Sequence, residues 1–145
     1  MKNFVCKVCG FVSLEGNLEK CPVCGLPKVF EEKENAYKTP DFKSDSGESE
    51  KKHIPQISIH ENCELIEGSN AVRVRVGEIV HPMTEEHSIT EVFFYINNKF
   101  VAAASLTPKV LPTAFIVIKN DIKGKIQVIE NCNLHGKWYN EVEVK

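Results

Sequence analysis

The sequence predicts a mainly β protein: an all-β sandwich preceded by a small cysteine-rich metal-binding domain. Three observations carry this. Four of the six cysteines lie in two C-x-x-C pairs within the first 24 residues. From Ile54 onward, short β-branched and aromatic runs alternate with turn residues. No window shows a convincing 3.6-residue apolar stripe, so helices are not expected.

The first element is residues 1–34. It holds Cys6-Lys7-Val8-Cys9-Gly10 and Cys21-Pro22-Val23-Cys24-Gly25. Thiolates at C-x-x-C spacing reach one metal from a single turn, and two such pairs make a tetrahedral four-sulfur site that suits zinc or iron. The apolar residues here are few, among them Phe4, Val5, Phe11, Leu14 and Phe30. So small a core needs a metal to fold alone. Residues 35–50 follow as a charged run with only Ala36, Tyr37 and Phe42 to bury, and read as a solvated linker between modules with few mutual contacts.

Residues 51–145 read as the sandwich. Ile57–His60 and Val72–Val76 alternate. Val92–Ile96 is a compact apolar run, and Asn97-Asn98 offers a tight turn into Phe100-Val101-Ala102. Phe115–Ile118 and Ile126–Val128 continue the pattern, with Gly124 between them.

Composition excludes several classes. Hydrophobic residues are 42% of the 145 and charged residues 26%, the balance of a globular protein. A net charge of −2 argues against nucleic acid as a partner. No apolar run approaches a membrane span, and the start lacks the apolar core of a secretory signal. A cytoplasmic location is expected, where clustered cysteines point to metal or redox chemistry rather than disulfides.

A second set of metal-binding side chains lies in the sandwich. It comprises Lys52-His53, His81-Pro82-Met83 with His87, and Cys132-Asn133-Leu134-His135-Gly136. The Cys132-x-x-His135 spacing lets a thiolate and an imidazole converge, and His81 and His87 sit in a polar loop that can present ligands. One thiolate with several imidazoles suits iron, zinc or copper better than magnesium or calcium. His60 alternates with Ile57 and Ile59 and is expected to face solvent. Cys63 has no nearby partner and is expected to be a small buried apolar residue.

Taken together, these three motifs resemble the superoxide reductase family (desulfoferrodoxin and neelaredoxin) over residues 51–140. Residues 1 to about 32 resemble the short rubredoxin-like domain at the end of rubrerythrins. The first resemblance implies an immunoglobulin-like sandwich. It implies a mononuclear iron held by His53, His81, His87 and His135 in a plane, with Cys132 axial, and Lys52 as the catalytic residue that attracts superoxide. The second implies iron, or zinc, at Cys6, Cys9, Cys21 and Cys24, and a one-electron relay. Reduced rubredoxin or another small donor would be the reductant, and a homodimer or higher assembly is expected. The family commonly has Glu directly before this Lys; here Lys51 stands there, so Glu50 is not expected to ligate. The donor module also departs from the usual desulforedoxin type, whose second cysteine pair is adjacent. Two rivals share these residues: a non-catalytic carrier with two iron centres, and a zinc-ribbon interaction module on a metal-stabilised sandwich.

Overall fold

The computed structural model describes residues 2–44 and 47–145. Asp45 and Ser46, part of the predicted linker, lie outside the described residues.

Seven strands form the sandwich. One sheet has three, β4 (Pro55–His60), β5 (Ser69–Val76) and β8 (Thr113–Lys119), in the order β4-β5-β8. The other has four, β6 (Ile89–Ile96), β7 (Lys99–Ser105), β9 (Gly124–Cys132) and β10 (Gly136–Val144), in the order β10-β9-β6-β7. All pairings are antiparallel. Val72, Val74 and Val76 of β5 meet Val92 and Phe94 of β6 and Ile126 and Val128 of β9 to form the core between the sheets. The predicted strands all exist, and β10 joins them. β10 is not legible in the sequence because Asn140, Glu141 and Glu143 dilute its apolar residues.

Asn97 and Asn98 both take positive φ, 49° and 73°, and close the β6–β7 hairpin as a turn of that hand requires. The Asn97 amide reaches across to the start of β9, where its Nδ2 donates to the Lys123 carbonyl and its Oδ1 accepts from the Lys125 N–H. A Cβ on Gly124 would stand 2.2 Å from that Oδ1, so this turn tolerates only glycine.

The N-terminal module is a three-stranded sheet, β2-β1-β3, of Lys2–Cys6 (β1), Val12–Ser13 (β2) and Phe30–Glu34 (β3). It does not stand apart. Val5, Phe11 and Val12 pack on Phe93, Tyr95, Ile129 and Tyr139, the outward residues of the four-stranded sheet. Phe11 lies edge-on to Phe93 at 5.4 Å and to Phe100 at 5.0 Å, and stacks on Tyr95. The buried Tyr95 hydroxyl donates to the Val12 carbonyl at 2.6 Å. This explains why Val92–Tyr95 is buried without alternation: both faces of β6 are covered.

The charged run is also docked, which corrects the expectation of a solvated linker. Lys38 adds a parallel bridge to Trp138 of β10: its N–H donates to the Lys137 carbonyl, and the Tyr139 N–H donates to the Lys38 carbonyl. Tyr37 stacks on Tyr139 at 5.0 Å, and Phe42 meets Trp138 edge-on at 5.4 Å. Two aromatic anchors, Tyr37 and Phe42, outweigh the charge around them. The run then ends in a short helix, α1 (Glu48–His53), against the expectation of none. Six residues are too few to show a stripe or to be stable alone. Docking of His53 and Glu50, both buried, holds the turn in place, and Ile54 leaves it in an extended conformation before Pro55.

Candidate metal centres

In the N-terminal module the four cysteine sulfurs lie within 4.8 Å of one another. Cys6 Sγ is 3.7 Å from Cys24 Sγ, and Cys9 Sγ is 3.6 Å from Cys21 Sγ. A tetrahedron of sulfurs at metal–sulfur distances of about 2.3 Å has edges of about 3.8 Å, so these thiols already stand at a metal's coordination positions. Each knuckle is built alike: Cys6 and Cys21 donate their N–H to Phe11 and Leu26, and Gly10 and Gly25 donate back to the carbonyls of Cys6 and Cys21. Burial pushes the Cys6 thiol up, but the N–H groups of Cys9 and Val8 outweigh it and bring it to about 7. Burial raises Cys9 and Cys21. A metal would displace these protons.

The second set gathers at one end of the sandwich. His53 comes from the last turn of α1, His81 and His87 from the β5–β6 loop, Cys132 from the end of β9 and His135 from the β9–β10 connection. Gly77 lets that loop close on α1: a Cβ there would stand 2.2 Å from the Ile79 carbonyl oxygen and 2.6 Å from that of Lys52. The four imidazoles form a closed ring. Centroids are 4.8 Å apart for His53–His81, 4.5 Å for His81–His87, 5.0 Å for His87–His135 and 5.0 Å for His135–His53. His53 and His87 stand across it at 6.3 Å. His135 turns Nδ1 toward Cys132 Sγ at 3.7 Å. Donor atoms of His53, His87, Cys132 and His135 lie within 4.8 Å of one another, and His81 joins them through Nε2, 3.2 Å from His53 Nε2.

Hydrogen bonding fixes the tautomers. Nδ1 of His53 is 2.7 Å from the Ser49 carbonyl, and Nδ1 of His81 is 2.7 Å from the Pro82 carbonyl. Only N–H can donate to a carbonyl, so both Nε2 atoms face inward. Burial lowers both rings to about 4, helped by the neighbouring imidazoles and opposed by those carbonyls. Near pH 7 two bare lone pairs therefore face each other at 3.2 Å. His87 Nε2 is buried with no hydrogen-bond partner among the described residues. Repulsion of this kind is relieved by a cation in the middle, and the donor set fits a transition metal rather than a hard cation. Burial also raises the Cys132 thiol, against the N–H groups of Leu134 and His135.

Around this ring lie residues that sequence reasoning left unassigned. Trp138 stacks on His53, and its Nε1 donates to the His135 carbonyl at 3.2 Å. Lys38 donates to the same carbonyl at 3.2 Å and lies 5.0 Å over the Trp138 ring. Glu130, fully buried two residues before Cys132, has both carboxylate oxygens without a partner among the described residues. Lys52 is partly exposed and pairs with Glu48 at 3.4 Å. Burial lowers His81 and His87, and the Lys52 charge adds to it in both. Glu50 turns away: both its oxygens accept from Ser44, one from the N–H and one from the hydroxyl. His60 is exposed, as expected, whereas Cys63 is half-buried rather than buried.

A seven-stranded sandwich that converges imidazoles and a thiolate at one end, with a four-thiolate knuckle on its outer sheet, defines a two-site metal-binding β protein. The desulfoferrodoxin family model matches residues 45–141, and this chain belongs to that family. A superoxide reductase of Pyrococcus abyssi is 33% identical over 105 residues, covering 65% of this chain and 88% of that relative. A desulfoferrodoxin of Syntrophotalea carbinolica is 29% identical over 140 residues and covers 95% of this chain and 94% of its own length. Among solved structures, superoxide reductase (neelaredoxin) from Ignicoccus hospitalis superposes with a TM-score of 0.61 at 26% identity, covering 77% of this chain and 95% of that one. No helix is long and apolar enough to cross a membrane.

Proposed function

We propose that this chain is a superoxide reductase: superoxide takes one electron and two protons and leaves as hydrogen peroxide. The ring of four imidazoles with Cys132, whose inward lone pairs call for a cation, carries this reading. Iron held by His53, His81, His87, His135 and Cys132 supplies the electron when bound. The chain's own residues do the rest. The carbonyls of Ser49 and Pro82 hold His53 and His81 in the tautomer that leaves Nε2 free. Trp138 backs His53 and excludes water from that side. Lys52 draws the anionic substrate toward the His81–His87 side; its ion pair with Glu48 is a surface pair, worth at most about 0.5 kcal/mol, and is easily given up.

The four-thiolate site is read as an iron relay that takes electrons one at a time from reduced rubredoxin or another small donor. Its first knuckle points toward the metal-bearing end, where Gly10 faces Lys137 two residues after His135, while Glu15 at its other end pairs with Lys99 of the far hairpin at 3.6 Å. The protein is read as cytoplasmic and homo-oligomeric by family likeness alone.

The test combines metal analysis with stopped flow. Two irons, and superoxide consumed to peroxide without evolution of oxygen, support the reading. Two irons with no superoxide consumption leave a carrier, and two zincs in a colourless protein leave an interaction module. Evolution of oxygen would indicate dismutation.

A further inference from the structure

Lys137 is a residue of the sandwich, on the outward face of β10, yet its side chain ends on the other module. Its Nζ lies 3.5 Å from where a Cβ on Gly10 would stand, and its Cε 3.9 Å away. Gly10 directly follows the ligand Cys9 and closes the first knuckle through its N–H to Cys6. The side chain is half-buried between the modules, and no carboxylate comes within ion-pair distance of it among the described residues. The titratable groups facing it are Glu91 from β6, Lys33 from β3, and Cys9 itself. An ammonium so placed, held out of water and without a salt-bridge partner, needs a countercharge. Glu91 supplies part of it from beyond ion-pair distance, and four thiolates around a divalent or trivalent metal, which carry net negative charge, would add to it once the knuckle is loaded.

We propose that Lys137 is a functional part of the four-thiolate site: the sandwich supplies the cation that favours the reduced state of the iron bound by the N-terminal module. Reduction adds one electron from an external one-electron donor and makes the four-thiolate centre more negative by one unit, with no proton transferred. A fixed positive charge beside the knuckle stabilises the more negative state more strongly, so it raises the reduction potential. Lys137 is therefore a positioning and electrostatic residue rather than a catalytic one. The inference rests on the relay reading above but is tested apart from superoxide chemistry.

The experiment uses the full-length protein with iron loaded into the knuckle, and compares native protein, Lys137→Met and Lys137→Arg by optical spectroelectrochemistry. Lys137→Met keeps the length and packing of the side chain and removes its charge. The reduction equilibrium of the four-thiolate iron is expected to shift about tenfold toward the oxidised form, about 59 mV for one electron. Lys137→Arg should restore most of the native potential, and the optical spectrum of the sandwich iron should stay the same in all three. An equal potential in native protein and Lys137→Met overturns the assignment, as does a loss in Lys137→Met that Lys137→Arg shares in full. The rate of superoxide consumption, measured separately, decides the proposed activity and does not bear on this comparison.

Discussion

The Trp138 indole lies nearly parallel to the His53 imidazole, 14° apart with centroids at 4.9 Å. This contact joins the strand after the Cys132-x-x-His135 motif to the helix that carries the first histidine. The indole N–H also holds the His135 carbonyl, so one side chain orients two members of the ring. Lys38 covers its far side.

Trp138→Phe is expected to keep the fold but loosen both histidines. Partners that orient metal ligands are worth about 10- to 100-fold in metal affinity. Iron release from the sandwich to a chelator should speed up by at least tenfold, with the four-thiolate site unaffected. Equal release rates would show that Trp138 only fills space.

Phe11 is expected to matter to both modules. It is almost fully buried, and its neighbours Phe93, Tyr95 and Phe100 belong to the sandwich. Phe11→Ala should cost about 3–5 kcal/mol. Calorimetry should show one transition moving as a whole. Removal of residues 1–34 should expose Phe93, Tyr95 and Ile129 together and give an aggregating product. Two separate transitions, with only the first shifted, would mean that the modules fold independently.

This coupling was the part of the molecule least legible in the sequence. The candidate ligands were readable because metal chemistry imposes fixed spacings, and Cys6, Cys9, Cys21, Cys24, Cys132 and His135 all fall in C-x-x-C or C-x-x-H steps. The strands were readable because β-branched runs broke at turn residues, as at Asn97-Asn98. Docking of the N-terminal module was not, because a strand buried on both faces and a strand in one crowded core both read as an unbroken apolar run, and Val92–Ile96 fits either. The linker misled for a related reason. Its charges dominate the composition, but Tyr37 and Phe42 decide where it lies.

Lys52→Ala is expected to slow the bimolecular reaction with superoxide on the order of tenfold at low salt and to flatten its ionic-strength dependence, with iron retained. Two unit charges about 8 Å apart at an effective dielectric near 20 interact by roughly 2 kcal/mol before screening. Stopped flow over a range of salt concentrations checks this. An unchanged low-salt rate would move the role to Lys51.

Glu50→Ala is expected to leave the oxidised optical spectrum and the superoxide rate nearly unchanged, because both Glu50 oxygens accept from Ser44. Its own backbone N–H, and then the Ser44 N–H and hydroxyl, hold its carboxyl below the usual range against the effect of burial. What the variant should lose is the anchorage of Ser44, seen as faster proteolysis beside it. A clear spectral shift at constant pH and buffer would mean that Glu50 does reach the iron.

Glu130 has the opposite balance. Burial pushes its carboxyl well above the usual range, only partly offset by Lys38, and neither oxygen has a hydrogen-bond partner among the described residues. The folded-state pKa is therefore above the unfolded value of about 4.3, and the folded chain holds a proton that the unfolded chain releases. By linkage, stability is greatest below about pH 4 and falls as pH rises from there toward the folded pKa. Glu130→Gln keeps the shape, cannot ionise in either state, and removes this loss. Its Tm should exceed that of the native protein by a few degrees near pH 7, and the difference should shrink to nothing near pH 4. The spectrum of the sandwich iron, compared at pH 4, should not change, since a neutral amide there replaces a neutral acid. A Tm difference that persists unchanged at low pH would mean that packing, not ionisation, sets the cost at this position.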